Sequence, residues 1–149
     1  MKIISNVFLN NEEIPSKYTC DGENVNPFLR IIDIPELAKS LVLIVDDPDA
    51  PVGTWVHWII FNIPVLGKKE FKIQENSVPS GGILGQNDFK KLGYGGPCPP
   101  SGTHRYFFKI YALDSKLDLE EGATKKQVEE TMKNYIIDSA KLIGLYSRK

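Results

Sequence analysis

The residues of this chain best suited to hold a small anion are two histidines, a tyrosine and a run of aspartates. His57 lies in Gly53-Thr-Trp-Val-His-Trp-Ile-Ile-Phe-Asn62 and His104 in Pro99-Pro-Ser-Gly-Thr-His-Arg-Tyr106; the chain has no other histidine. An imidazole titrates near neutrality and can donate from either nitrogen, so two of them beside Tyr106 could surround an oxyanion. The third component is Asp46-Asp-Pro-Asp-Ala-Pro51. Asp before Pro favours a turn, but a turn needs one or two aspartates. Three carboxylates within four positions imply hydrogen-bond donors nearby, whether histidine, backbone amide or ligand.

These side chains need a scaffold that brings distant segments together. Leu41-Val-Leu-Ile-Val45, Trp58-Ile-Ile-Phe-Asn-Ile63 and Tyr106-Phe-Phe-Lys-Ile-Tyr-Ala-Leu113 are short runs of β-branched and aromatic residues bounded by Asp, Pro and Gly, as in strands buried on both faces. His57 falls at the start of the second, His104 just before the third with Tyr106 on the same face, and Asp47 just after the first. If those strands are neighbours, all four side chains meet at one end of the sheets. Lys2–Phe8, Phe28–Ile32 and Ala140–Tyr146 are further strand candidates, giving a mainly β, two-sheet sandwich with one or two peripheral helices. The one clear helix opens at Thr124, with Gln127 at capping-box spacing, and continues through Val128, Met132, Tyr135 and Ile136. Between Pro79 and Arg105, 27 residues hold 7 of the 12 glycines and 4 of the 10 prolines. That stretch reads as an ordered loop, anchored by Phe89 and Tyr94, that forms one wall of a pocket.

Length and composition fit one domain over residues 1–149, with 42% hydrophobic and 25% charged residues. A formal net charge of −1, from 18 basic and 19 acidic residues, gives no reason to expect nucleic-acid binding. The N-terminus lacks the apolar core of a secretory signal, and no run approaches a membrane span, so the expected location is cytoplasmic. Cys20 and Cys98 are too far apart for a C-x-x-C site, which speaks against thiolate metal binding. Both are expected to be reduced and partly buried, with a bridge pinning the Cys98 loop as the alternative. No cofactor or metal is expected.

Asp47-Pro-Asp-Ala-Pro51, Trp55-x-His57, Gly95-Gly-Pro-Cys-Pro-Pro100 and Gly102-Thr-His-Arg-Tyr106 together resemble the motif regions of the phosphatidylethanolamine-binding protein family. Thr19-Cys-Asp-Gly-Glu-Asn24, Asn26-Pro27 and Gly85-Gln-Asn-Asp88 resemble its bacterial and archaeal branch, and the match runs in order through nearly the whole chain. The resemblance implies a β-sandwich with a pocket for phosphate, acetate or a phosphorylated headgroup. On that basis Asp47, His57, His104 and Tyr106 would touch the ligand, while Asp49, Trp55, Cys98, Pro99 and Pro100 would shape the pocket. Where this chain has Cys98, mammalian relatives have glycine. The bacterial relatives also imply a homodimer, although no patch in the sequence shows one.

The expected function is therefore binding of a phosphorylated or carboxylated small group in a regulatory role, without catalysis. The alternative is an inhibitor of a serine protease, or a modulator of a kinase, acting through exposed loops such as Lys68–Asn76 or Gly81–Tyr94. An enzyme is not expected, because no activated nucleophile stands out: Ser101 fits a turn residue, and Cys98 would need a histidine to lower its pKa. A phosphate monoester suits donors from imidazole, phenol and backbone amides. Asp47 could then orient a histidine, or accept from an ammonium group or a protonated phosphate oxygen.

Overall fold

A computed structural model describes residues 1–149 as two packed β-sheets. In chain order the elements are β1 (Lys2–Ile4), β2 (Glu12–Glu13), a 3-10 turn (Ser16–Tyr18), β3 (Leu29–Ile32), β4 (Ser40–Asp47), β5 (Trp55–Pro64), β6 (Phe71–Ile73), β7 (Ile83–Leu84), β8 (His104–Leu113), α1 (Lys125–Met132) and β9 (Ile136–Tyr146). The small sheet has the order β1-β3-β6 and the large one β2-β9-β8-β4-β5-β7. All pairings are antiparallel except β2 with β9.

The continuous apolar run of β4 follows from burial on both faces. Leu41, Leu43 and Val45 face the small sheet and pack with Trp58, Ile60, Phe108, Ile110, Leu29 and Ile31. Val42 and Ile44 face the other way and pack with Val56, Ile59, Phe61, Leu117, Val128 and Met132, beneath α1 and the segment leading to it. Each fully buried aliphatic side chain here contributes about 1.5–3 kcal/mol.

The capping box at α1 forms as its spacing predicts: the Gln127 amide donates to the Thr124 hydroxyl, and the Thr124 amide donates to the Gln127 side chain. The helix stops at Met132, however, and Ile136 opens β9 instead of closing the helix. There Ile136 pairs with Leu113, and the ladder with β8 continues to Tyr146, so tertiary pairing overrides local helical spacing. The N-terminal strand is also shorter than the sequence suggests. It ends at Ile4, after which Phe8 turns into the core against Phe108 at 5.5 Å between ring centroids.

Cys20 and Cys98 form a disulfide across a sequence separation of 78, correcting the expectation of two reduced thiols. The pairing is made by tertiary structure that local spacing does not reveal. The Cys20 amide donates to the Pro97 carbonyl, the Gly96 amide to Asn24 Oδ1 and the Tyr94 hydroxyl to the Tyr18 carbonyl, laying residues 94–98 against residues 18–24. Gly96 is required there, since a Cβ would lie 2.3 Å from Asn24 Oδ1 and 2.4 Å from the Tyr18 carbonyl oxygen. Closing so long a loop lowers unfolded-chain entropy by an amount worth roughly 4 kcal/mol.

Candidate functional site

The site lies on the inner face of the large sheet, where β4 ends and β5 and β8 begin. On β8, His104 and Tyr106 are two residues apart and therefore share a face. Asp47 shares that face with Val45 on the neighbouring β4, while Asp46 between them points to the opposite face. His57 reaches the cavity through an irregularity. Val45 pairs with Trp58 and Asp46 with Val56, so His57 is an extra residue in a β-bulge, a device that re-aims side chains near functional sites.

These residues line a cavity of about 220 Å³ with Trp55, Phe89, Cys98, Pro99, Pro100 and the Ala50-Pro51-Val52 turn. That is smaller than the roughly 300–1,000 Å³ of pockets that enclose drug-sized ligands, and suits a headgroup-sized guest. Asp47, His57, His104 and Tyr106 are all buried. The rings are close: His57 and Tyr106 meet edge-on with centroids 5.2 Å apart, and His104 lies nearly parallel to Tyr106 at 6.5 Å.

Both imidazoles are fixed through Nδ1. His104 donates Nδ1–H to Asp47 Oδ2 at 2.7 Å, and His57 donates Nδ1–H to the Gly95 carbonyl at 2.6 Å. The backbone reciprocates, with the Gly95 amide donating to the His57 carbonyl. Neither Nε2 therefore carries the orienting bond, and both are available to a guest. Burial pushes the His57 pKa down, partly opposed by the Gly95 carbonyl and the Asp47 charge, so the ring favours its neutral form. Asp47 Oδ1 accepts from the Asp49 amide at 2.7 Å, leaving both its oxygens engaged.

Tyr106 is 1% exposed, yet its hydroxyl has no hydrogen-bond partner in the protein. Burial raises its pKa strongly, with the Asp47 charge adding to the effect, so the phenol stays protonated and can donate. The Cys98 backbone opposes that rise but does not reach hydrogen-bond geometry with the hydroxyl. An unpaired buried hydroxyl costs about 1–3 kcal/mol, which a bound acceptor would relieve.

The residues expected to shape the pocket divide. Trp55, Cys98, Pro99 and Pro100 line it, whereas Asp49 does not. Its carboxylate instead takes the Arg105 backbone amide and guanidinium, with contacts of 2.9–3.0 Å that hold its pKa down to about 2. Asp49 thereby ties the β4–β5 turn to the start of β8. Sequence reasoning placed Phe89 as an anchor of the wall loop without counting it among the site residues; it lines the cavity itself and packs edge-on against Trp55 at 5.5 Å and His57 at 5.4 Å. Gly95 makes room for the ring, since a Cβ there would lie 2.5 Å from it.

The family model described as phosphatidylethanolamine-binding protein matches residues 4–147. A UPF0098 protein of Methanothermobacter thermautotrophicus is 53% identical over 150 residues, covering 99% of both chains. Among solved structures, a phosphatidylethanolamine-binding protein homologue from Chlamydia trachomatis superposes with a TM-score of 0.92 at 41% identity, covering 99% of this chain and 97% of that one. The E. coli protein YbcL, described as a new member of the mammalian family, gives 0.90 at 30% identity, covering 99% and 98%.

Proposed function

The chain belongs to the phosphatidylethanolamine-binding protein family, and from that premise and the geometry of its cavity we propose that it binds a small phosphoryl or carboxylate group in a regulatory role, without transforming it. The observation that carries this reading is the buried, unpaired hydroxyl of Tyr106, a residue that lines the same cavity as two imidazoles whose Nδ1 atoms are already committed.

The protonation logic is specific. With Nδ1–H donating to Gly95 or Asp47, each Nε2 must gain a proton to donate to a bare anion, or accept one from a ligand hydroxyl. Binding of an anion is then coupled to proton uptake, and affinity falls as pH rises through the histidine titration. Asp47 orients His104, and its remaining lone pairs could receive an ammonium group if the guest is zwitterionic.

The absence of catalysis is part of the proposal. Cys98 is held in the disulfide, and Ser101 is exposed and outside the cavity lining, so neither is placed as a nucleophile toward a guest. The loop-insertion reading has less support. Lys68–Asn76 carries β6 with Ile73 in the core, and the Gly81–Tyr94 stretch carries β7 and supplies Phe89 to the cavity. A cytoplasmic location is proposed alongside, and the Cys20–Cys98 disulfide is the observation that opposes it, because reducing compartments keep thiols reduced.

Isothermal titration with inorganic phosphate and with O-phosphorylethanolamine tests this reading. Saturable binding at pH 6, weaker at pH 8 and with net proton uptake, is the expected result. Heats no larger than dilution for both ligands at pH 6 would remove it.

A further inference from the structure

The outer face of the large sheet is covered over only half its width. Over β4 and β5, α1 and the segment before it bury Val42, Ile44, Val56 and Phe61. Over β8 and β9 the outward side chains lie beyond the helix, and alternation places Arg105, Phe107 and Lys109 of β8 there, with Tyr111 packed at the edge of the α1 cluster and Ser139 and Lys141 of β9 across the ladder. Two adjoining hollows of about 410 and 350 Å³ run along this face and share Lys109 and Lys141. One flank is raised by the β4–β5 turn, through Pro48 and Thr54, and by the start of α1, through Lys125.

The charge of this groove departs from that of the chain. Arg105, Lys109, Lys125 and Lys141 contribute four positive charges, against the carboxylates of Asp46 and Asp49, in a protein whose formal net charge is −1. Asp46 is buried and already holds Lys109 at 2.9 Å and Lys125 at 2.8 Å, so it fixes the two ammonium groups in place. Lys141 sits directly across from Lys109 with no carboxylate partner within salt-bridge distance. The Phe107 ring lies among these cations, with Arg105, Lys109 and Lys141 all 5.5–5.9 Å from its centroid. Like charges gathered this way repel one another in the free protein, and an anionic partner relieves the repulsion.

We infer that the β8–β9 face is a docking groove for an extended acidic segment of a partner polypeptide. The groove is flanked on one side by the β4–β5 turn and the start of α1, which fits a single chain better than a planar lipid surface. Its modest positive excess matches a few carboxylates better than the charge density of a nucleic acid. Arg105 and Lys109 are four residues apart on one strand, about 13 Å, so a short extended segment with carboxylates on alternate residues spans both. This inference does not rest on the anion cavity, whose residues project from the opposite face of the same sheet.

The test is a titration of the full-length protein with a fluorescein-labelled peptide of alternating glutamate and glycine at low salt. Amide chemical-shift mapping, oligo(dT) and phosphatidylserine–phosphatidylcholine vesicles run in parallel, and sedimentation checks for self-association. Binding with shifts confined to Arg105–Tyr111, Ser139 and Lys141 is expected. Lys141→Glu should weaken the peptide at least about fivefold, and Lys141→Gln less, while phosphate titration is unchanged. Lys141 is exposed and unpaired, so both variants should fold as wild type does. Shifts elsewhere, undiminished binding by Lys141→Glu, preference of this face for oligo(dT) or vesicles, or its occupation by a second copy would each overturn the proposal.

Discussion

Asp46 and Asp47 are neighbours in the chain and opposites in the fold. Asp46 projects from the outer face of the large sheet, where two lysines meet its Oδ2 at 2.8 and 2.9 Å and balance its charge. Asp47 projects from the inner face, where it orients His104 in a cavity that also holds a hydroxyl without a partner. Strand alternation separates them, and the comparison distinguishes structural from functional charge. A buried carboxylate whose charge is balanced by the protein's own cations stabilises the fold. One embedded among groups left with unused hydrogen-bonding capacity prepares a site for something else.

If that distinction is right, removing the lysines should damage the fold and spare the cavity. Lys109→Met with Lys125→Met leaves Asp46 buried without a cation, and breaking a buried pair from one side costs about 3–5 kcal/mol. Urea denaturation should show a loss of that size, with phosphate affinity in the remaining folded protein near the wild-type value. A loss below about 1 kcal/mol would mean that Asp46 is better hydrated than its burial indicates, and the contrast between the two aspartates would weaken.

Tyr106→Phe probes the other side with the opposite pattern. Removing the unpaired hydroxyl should leave the ligand-free protein as stable as wild type, or more stable by about 1 kcal/mol. Phosphate affinity should drop about tenfold, the worth of one hydrogen bond of about 1.4 kcal/mol. Thermal unfolding with and without phosphate reads both quantities. Destabilisation of the free protein would show that the hydroxyl is satisfied within the fold and is not held for a guest.

Much of this was legible in the sequence, for reasons that differ by element. The strands containing Leu41–Val45 and Tyr106–Leu113 were readable because burial on both faces demands unbroken apolar runs. His104 and Tyr106 could be assigned to one face because β8 is regular around them. His57 is different. Alternation alone would send it to the face opposite Trp58, and only the bulge in β5 opposite Val45 and Asp46 turns it into the cavity. Short β2, β6 and β7 were not readable because a strand of two or three residues draws its definition from its partner. Asp49 matched a motif yet serves Arg105, since a motif position does not say which way a side chain turns.

The smallest expected effect separates His57 from the carboxylates. Burial lowers the His57 pKa in the folded state, whereas an unfolded histidine titrates near 6.5. As pH falls through 6.5 the unfolded chain takes up a proton that the folded protein resists, so stability that is full above about pH 7 declines below it. Between pH 6.5 and 5.5 this one residue can remove up to about 1 kcal/mol, because a full proton difference is worth 1.36 kcal/mol per pH unit. The carboxylates with lowered pKa values, Asp21, Asp49, Glu70, Glu75 and Asp138, contribute at more acidic pH, since their ordinary values already lie near 4. His57→Gln should therefore flatten the pH 6.5–5.5 segment of the stability curve and leave the acid limb unchanged. Saturating phosphate should flatten the same segment in the wild type, because a guest that pairs with protonated His57 offsets the cost of charging it. A slope in wild type that phosphate leaves untouched would place the titrating group away from the cavity.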